Sequence, residues 1–501
     1  MLINDFGRHI FAVGKKKEMN AKIIIWYICV SLLLVAALMA MSGVIALLTP
    51  GDESRFPLLF SAFITGLVGF YPLIFVRKSK HMLTFREGNC IVVGAWMLSC
   101  LFGMLPFFFY GGEFSLVNAL FESVSGFTTT GASILNDIEQ LPRGLLFWRI
   151  STAWVGGIGI VTLFSMLAVG SDKSALAGAE ISSVAKDGYS GDKDSRFANK
   201  MLLTYLSLTL VTFFSLRLTG LGWFDAATHA MSASSTCGFS TRNGSIASFA
   251  NPAAELVLTV SMLAAGVHFG ILFLAILKGR PQYIWKSEAV KVFLSLVLMA
   301  TGVVTADLMI DGAAPSLAAA LRDASFQVVS ISTTTGFATR DTTSWPPLSM
   351  VILVACSFFC GCSGSTSGGI KIDRALLAAK GILGKVKRTV MPHAVFCVRV
   401  SGKVRTQAQV SDAYGYILCY LLIMVVFAAV NIASGLDFTT GVTASIACIG
   451  NVGPGFGEVG SMSNYAGFPV FLKLTGMLEM LLGRLEIFPV LYLLRSVFFC
   501  R

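Results

Sequence analysis

Apolar runs long enough to cross a bilayer alternate with short polar breaks along nearly the whole chain. The first two runs, 23–48 and 56–76, are joined by Thr49-Pro50-Gly51-Asp52-Glu53. Each exceeds the roughly 18 apolar residues that a span requires. From about residue 88 the pattern becomes a unit that recurs four times. A long apolar helix is followed by a short segment of small and apolar residues, a glycine loop and a second long apolar run. The first helices are predicted at 90–110, 201–220, 290–308 and 412–434, and the second at 145–170, 253–277, 349–370 and 467–498. The short segments begin near Ser115, Asp225, Ser316 and Asp437, residue types that cap helix N-termini well. At 1.5 Å of rise per residue these segments are too short to span. They are expected to enter the membrane and stop halfway, with the negative end of the dipole towards the centre.

The four glycine loops are variants of one another: Thr-Thr-Gly-Ala-Ser at 129–133, Thr-Cys-Gly-Phe-Ser at 236–240, Thr-Thr-Gly-Phe-Ala at 334–338 and Asn-Val-Gly-Pro-Gly at 451–455. Gly131, Gly238, Gly336 and Gly453 lie 107, 98 and 117 residues apart. A glycine in such a loop lets the backbone take φ > 0 and turn successive carbonyls the same way. Irregular backbone at membrane depth is tolerated only where it lines a water-filled cavity or is buried in protein. Four such loops on one axis would stack rings of carbonyl oxygen able to replace a cation's water shell. The pattern therefore predicts a cation pore folded from one chain.

Composition narrows the class. Of 501 residues, 55% are hydrophobic and 13% charged, with mean hydropathy +0.75; a soluble domain carries about a quarter charged residues. The net charge of +11 falls mostly in the segments that alternate assignment places in the cytoplasm. That is the positive-inside asymmetry, so no nucleic-acid partner is needed to explain it. The first apolar run is longer than a signal-peptide core and is read as an anchor. The eleven cysteines show neither disulfide nor zinc spacing and read as small buried hydrophobes. The expected division is a two-helix membrane domain at 1–87 and repeats at 88–198, 199–285, 286–410 and 411–501. The cytoplasmic segments 171–200 and 371–411 are long, and neither holds a phosphate-binding glycine loop. The second is read as a solvated, lipid-facing basic loop or a docking surface.

The third repeat breaks its own pattern. After Phe359 it runs Cys360-Gly361-Cys362-Ser363-Gly364-Ser365-Thr366-Ser367-Gly368-Gly369, a composition that will not hold a regular helix, since each glycine costs about 1 kcal/mol against alanine. The last run carries Arg484 among apolar residues, with no acidic residue three or four positions away. An arginine in mid-membrane costs roughly 2.5–3.5 kcal/mol on insertion scales. It needs partners from elsewhere, and the carbonyls of 360–369 are the best supply.

These residues resemble the membrane subunit of bacterial Trk potassium-uptake systems, in the wider Trk/Ktr/HKT superfamily. The matching pieces are Thr-Thr-Thr-Gly-Ala at 128–132, Trp-Val-Gly-Gly-Ile-Gly-Ile-Val at 154–161, Thr-Thr-Thr-Gly-Phe at 333–337, Gly-Ser-Thr-Ser-Gly-Gly-Ile-Lys at 364–371, Gly-Asn-Val-Gly-Pro-Gly-Phe-Gly at 450–457 and Leu-Gly-Arg-Leu-Glu at 482–486. The resemblance implies an all-α polytopic membrane protein. Four helix–pore-helix–filter–helix repeats would surround a pseudo-four-fold pore, with two extra N-terminal transmembrane helices. It implies K+ held by backbone carbonyls of a selectivity filter made of Thr129, Thr130 and Gly131, Thr236, Cys237 and Gly238, Thr334, Thr335 and Gly336, and Asn451, Val452 and Gly453. It further implies an intramembrane gate built from Gly361, Gly364, Ser365, Gly368 and Gly369 and faced by Arg484. The expected partners are a second copy in a homodimer, membrane lipid and a cytosolic nucleotide-binding regulatory ring (TrkA type). The expected location is the bacterial cytoplasmic (inner) membrane, with both termini cytoplasmic. Cys237 departs from the Thr or Val of the other loops, but its side chain is expected to point away from the axis.

Two functions compete. The first is potassium uptake through a selective, gated pore; the second is a proton- or sodium-coupled potassium symporter working by alternating access on broken helices. Four equivalent loops favour the pore. An enzyme is not expected, because no metal, nucleophile or phosphate-loop constellation is evident and the five histidines are scattered. The transported ion is K+, with no organic cofactor.

Overall fold

The computed structural model describes residues 20–76, 84–170, 194–393 and 397–491. Most of the N-terminal stretch 1–22 and the connection Arg77-Lys78-Ser79-Lys80, both read from the sequence as basic and cytoplasmic, lie outside the described residues, as do most of the 171–200 segment and the end of the last run. Among the described residues the fold is helical, with only two-residue strand pairs, Phe359–Cys360 parallel to Ile370–Lys371 and Arg399–Val400 antiparallel to Lys403–Val404. Six described helices are long and apolar enough to cross a membrane. Their outward residues, such as Leu210, Phe214, Leu298 and Val426, are apolar and exposed, as a lipid-facing surface requires.

The two N-terminal helices, Ala21–Leu48 and Arg55–Phe75, form a hairpin. Gly69 lets them approach closely, since a Cβ there would sit 3.2 Å from the Cys29 carbonyl, the small-residue contact that membrane helices use. At the turn, Asp52 accepts N–H bonds from Ser54 (2.9 Å) and Gly144 (2.8 Å), the latter at the start of the helix Arg143–Gly170. The hairpin is thereby pinned to the first repeat.

Four short helices follow at the places expected from the repeated pattern: Leu116–Phe127, Trp223–Ser235, Leu317–Ser332 and Phe438–Gly450. A helix of 12 residues is about 18 Å long, well short of a bilayer core of about 30 Å. Ser115, Ser316 and Asp437 cap three of them through their side chains. Thr440 hydrogen-bonds the Asp437 carboxyl and holds its pKa below the ordinary value. The second repeat differs from expectation, because its helix starts at Trp223 after Gly222. Asp225 instead lies in the first turn and accepts a 2.7 Å bond from the Thr241 hydroxyl.

Three further expectations are corrected. The run 253–277 is not one helix: Pro252–Gly266 and Phe269–Leu277 meet at 110°. The chain restarts there because His268 Nδ1 accepts the Gly270 N–H at 2.8 Å and the Gly266 carbonyl is taken by Cys362 N–H, also at 2.8 Å. The last run stops at Arg484, where Glu486 takes φ 57°, and helix resumes at 487–491. The basic segment 371–411 is not an open loop. It folds into the helix Ile372–Val390 and the 399–404 hairpin, held by Lys380 to Glu288 and by Tyr414 Oη donating to the Ala378 carbonyl at 3.2 Å. Helices Asp194–Leu218 and Gln407–Ala433 also begin before the expected repeat starts at 199 and 411.

Candidate functional site

Each short helix ends in the same way. Thr130, Cys237, Thr335 and Val452 donate N–H bonds of 2.9, 3.2, 2.8 and 2.9 Å to the carbonyls of Ser125, Ser232, Ser330 and Ala447. The residue before each donor is left-handed: Thr129 at φ 51°, Thr236 at 55°, Thr334 at 56° and Asn451 at 53°. The glycine after it is left-handed too, with φ 81°, 80°, 80° and 91° at Gly131, Gly238, Gly336 and Gly453. The amides turn back onto the helix end and the carbonyls turn out of it. A left-handed non-glycine residue costs roughly 1–2 kcal/mol. Strain repeated at four equivalent places marks a shape held for function.

The four loops close on one another. A Cβ placed on Gly131 would strike the Cys237 carbonyl, and one on Gly238 the Thr335 carbonyl. One on Gly336 would strike the Val452 carbonyl, and one on Gly453 the Thr130 carbonyl. This is a ring in chain order around one axis, and there is no room in it for a side chain. The carbonyls of the two residues before each glycine accept no hydrogen bond from the described residues. Buried carbonyls are costly unless water or a ligand satisfies them. A ring of them is suited to a dehydrated cation. The side chains face elsewhere: Cys237 packs with Ile150, Ala153 and Phe239, and Val452 lies in the main core cluster.

Behind the ring is a set of polar struts that the sequence reading missed. Glu122, His229 and Gln327 each stand nine residues before a ring glycine. Each reaches the segment just beyond its loop. Glu122 accepts from Ser133 Oγ (3.1 Å) and Ile134 N–H (3.1 Å). His229 Nε2 bonds Ser240 Oγ at 2.9 Å, and Gln327 donates to the Arg340 carbonyl at 3.1 Å. In the fourth repeat Thr443 Oγ1 accepts the Phe456 N–H at 2.9 Å. Glu122 also pairs with Arg149 at 2.5 Å, the two side chains being 0% and 1% exposed. Arg149 donates to the Ser240 carbonyl at 3.1 Å and lies over the Phe239 ring, tying the first repeat to the second. The shared offset from the glycine was the available signal. In the segments beyond the first two loops, Asn243 hydrogen-bonds Asp137 at 2.9 Å and holds its carboxyl below the usual carboxylate range.

The stretch 361–369 is a loop whose ends are clasped by the Phe359–Ile370 and Cys360–Lys371 pairing. It lies directly against the ring. Gly368 N–H donates to Thr334 Oγ1 at 2.8 Å, and a Cβ on Gly368 would lie 2.9 Å from that of Asn451. Gly364, at φ 78°, passes so close to His268 that a Cβ would lie 2.7 Å from its ring. Ser365 Oγ bonds the Cys362 carbonyl (2.6 Å) and Ser367 Oγ (2.7 Å), bracing the loop internally. Gly361 stands against Gly266, and Gly369 against Cys360. Arg484, 2% exposed, donates to the Thr366 carbonyl at 2.7 Å and the Gly156 carbonyl at 3.0 Å. Thr366 Oγ1 in turn donates to the Ser234 carbonyl at 3.1 Å. The structure thus brings both sequence-identified sets of residues together. It picks out Thr366 and Gly156, both inside stretches already singled out, as the carbonyls that Arg484 takes, and adds Gly266 and His268, which nothing in local spacing marked.

The chain is similar to known proteins over most of its length. The family model TrkH, described as a cation transport protein, matches residues 58–498. The Trk system potassium uptake protein TrkH of Vibrio parahaemolyticus is 35% identical over 433 residues, which is 84% of this chain and 88% of that protein. The Trk system potassium uptake protein TrkG of Escherichia coli is 30% identical over 481 residues, 95% of this chain and 98% of that protein. The crystal structure of the potassium transporter TrkH from Vibrio parahaemolyticus has a TM-score of 0.88 at 32% identity, covering 96% of this chain and 100% of that one.

Proposed function

The chain belongs to the TrkH family of cation transport proteins, a polytopic membrane protein from a family of transporters, and from that premise we propose that it takes up potassium through a selective, gated pore. The observation that carries the reading is the closed ring of four loops, whose paired left-handed residues turn carbonyls onto one axis. Potassium passes this ring stripped of water, with Thr129–Gly131, Thr236–Gly238, Thr334–Gly336 and Asn451–Gly453 supplying its oxygen ligands. On this reading a two-helix domain at 1–87 precedes four pore repeats, the second and fourth opening with the helices Asp194–Leu218 and Gln407–Ala433.

The loop 361–369 is the gate, and Arg484 holds it closed under the ring. Opening breaks the Thr366 and Gly368 bonds and lets the loop swing on its clasped ends. A cytosolic nucleotide-binding ring biases that movement through the helix Ile372–Val390 and the 399–404 hairpin, in a homodimer of the inner membrane with cytoplasmic termini. The alternative, a coupled symporter with alternating access, is disfavoured because four loops in mutual contact leave no two halves to rock. Rubidium uptake by potassium-uptake-deficient cells, with recording from purified protein in bilayers, tests the proposal. Rubidium flux with unitary currents above carrier turnover is expected. Flux without unitary currents would favour the symporter, and the absence of flux would remove the function.

A further inference from the structure

The ring is not equivalent on its four sides. Among the described residues, the carbonyls of Gly131, Gly238 and Gly336 accept no hydrogen bond. The Gly453 carbonyl does accept one, from the hydroxyl of Tyr465 at 2.8 Å. Tyr465 lies in the segment after the fourth loop, and its backbone N–H donates to the Ser133 carbonyl of the first repeat at 2.8 Å. Its ring is 3% exposed and packs beside Phe121 and Phe468, at 5.7 and 5.1 Å between centroids. Backbone and ring are both anchored, so the hydroxyl is held at the carbonyl rather than visiting it.

A hydroxyl proton and a cation compete for the same oxygen. The bond draws electron density from the Gly453 carbonyl and fixes its direction towards Tyr465. An ion at the glycine level then meets three unencumbered carbonyls and one whose field is partly spent. Selection between potassium and sodium depends on the number and field strength of the coordinating carbonyls, and conduction requires that the ion also leave.

Resting on the function proposed above, we infer that Tyr465 is a specificity-determining residue acting through the Gly453 carbonyl, which weakens the ion site at the glycine level so that potassium is released rather than retained. The hydroxyl thus trades tightness for throughput.

Tyr465→Phe keeps the ring and its packing and removes only the donor. In rubidium uptake by the full chain in cells, the half-saturating concentration should fall about three- to tenfold, the range of one hydrogen bond. The maximal rate should fall with it, and sodium, the smaller ion that a stronger oxygen field favours, should compete better. Replacing Tyr465 by 3-fluorotyrosine, a more acidic and therefore stronger donor of nearly the same shape, should shift half-saturation the opposite way. A Phe variant with unchanged or raised half-saturation, or with better discrimination against sodium, would overturn the inference and leave Tyr465 a support of the loop. If the Phe variant does not insert, the fluorinated protein decides: a fall or no change in half-saturation also overturns it. A parent chain that moves no rubidium would instead refute the proposed function.

Discussion

Arg484 offers the sharpest test of the gate. Its guanidinium donates once to the loop, at Thr366, and once to the fixed helix, at Gly156. Only the Thr366 bond breaks when the loop leaves, since the Gly156 bond merely aims the side chain. A hydrogen bond from a charged donor contributes about 1.5–3 kcal/mol, and every 1.4 kcal/mol is tenfold. Losing it should therefore move the closed-to-open ratio by roughly ten- to a hundredfold. Other restraints, among them Gly368 on Thr334, Thr366 Oγ1 on Ser234, Cys362 on Gly266 and Phe269 on Gly364, are neutral bonds of about 0.5–1.5 kcal/mol each. They slow opening but do not cancel the shift. Arg484→Met is the better perturbation, because it fills most of the volume and removes a buried charge whose desolvation is itself costly. Arg484→Lys, with one flexible donor group in place of a fork, should fall between Met and the parent. The assay is rubidium flux without the cytosolic partner, normalised to protein that reaches the membrane. A Met variant that inserts normally and leaks no more than the parent would refute the latch and leave Arg484 a bundle residue.

Three other outcomes are expected. Gly336→Ser places a side chain where the Val452 carbonyl and Pro454, 2.8 Å from a Cβ, already stand, and at a φ of 80°. It should lower the potassium-over-sodium preference at least tenfold with insertion intact, measured as competing sodium inhibition of rubidium uptake; an unchanged preference removes Gly336 from the filter. Arg149→Ala leaves Glu122 buried without its cation, a loss of about 3–5 kcal/mol. Thermal denaturation in detergent should show a clearly lower midpoint, and an unaltered midpoint means that the pair does not brace the ring. Thr334→Val removes the acceptor for Gly368 N–H while keeping the side chain's shape. Resting rubidium flux should rise a few-fold, and an unaltered flux would show that the loop does not hold to the ring through this bond.

Much of this molecule is legible residue by residue. Apolar length marks the six long described helices that could cross a bilayer, because a bilayer core demands a fixed number of apolar residues from each helix. Glycine at 131, 238, 336 and 453 marks the loops, because no other residue tolerates both the left-handed backbone and the close approach of a neighbour's carbonyl. Arg484 announces a missing partner, because a lone buried charge must find one. Other features depend on residues far apart in the chain. Nothing near Gly266 and His268 forecasts a 110° bend, since the 361–369 loop from the next repeat occupies the corner. Glu122 and Arg149 look like isolated charges until folding sets them 2.5 Å apart. Arg484 and Gly156 are 328 residues apart, and Asn451 and Thr130 are 321. Tyr465 could not be singled out before the fourth loop was placed. Hydrophobic length and backbone conformation are local properties that each segment carries wherever it goes. Hydrogen-bond partners at 3 Å exist only once four separate segments are brought to one axis, and that was decided by the tertiary structure.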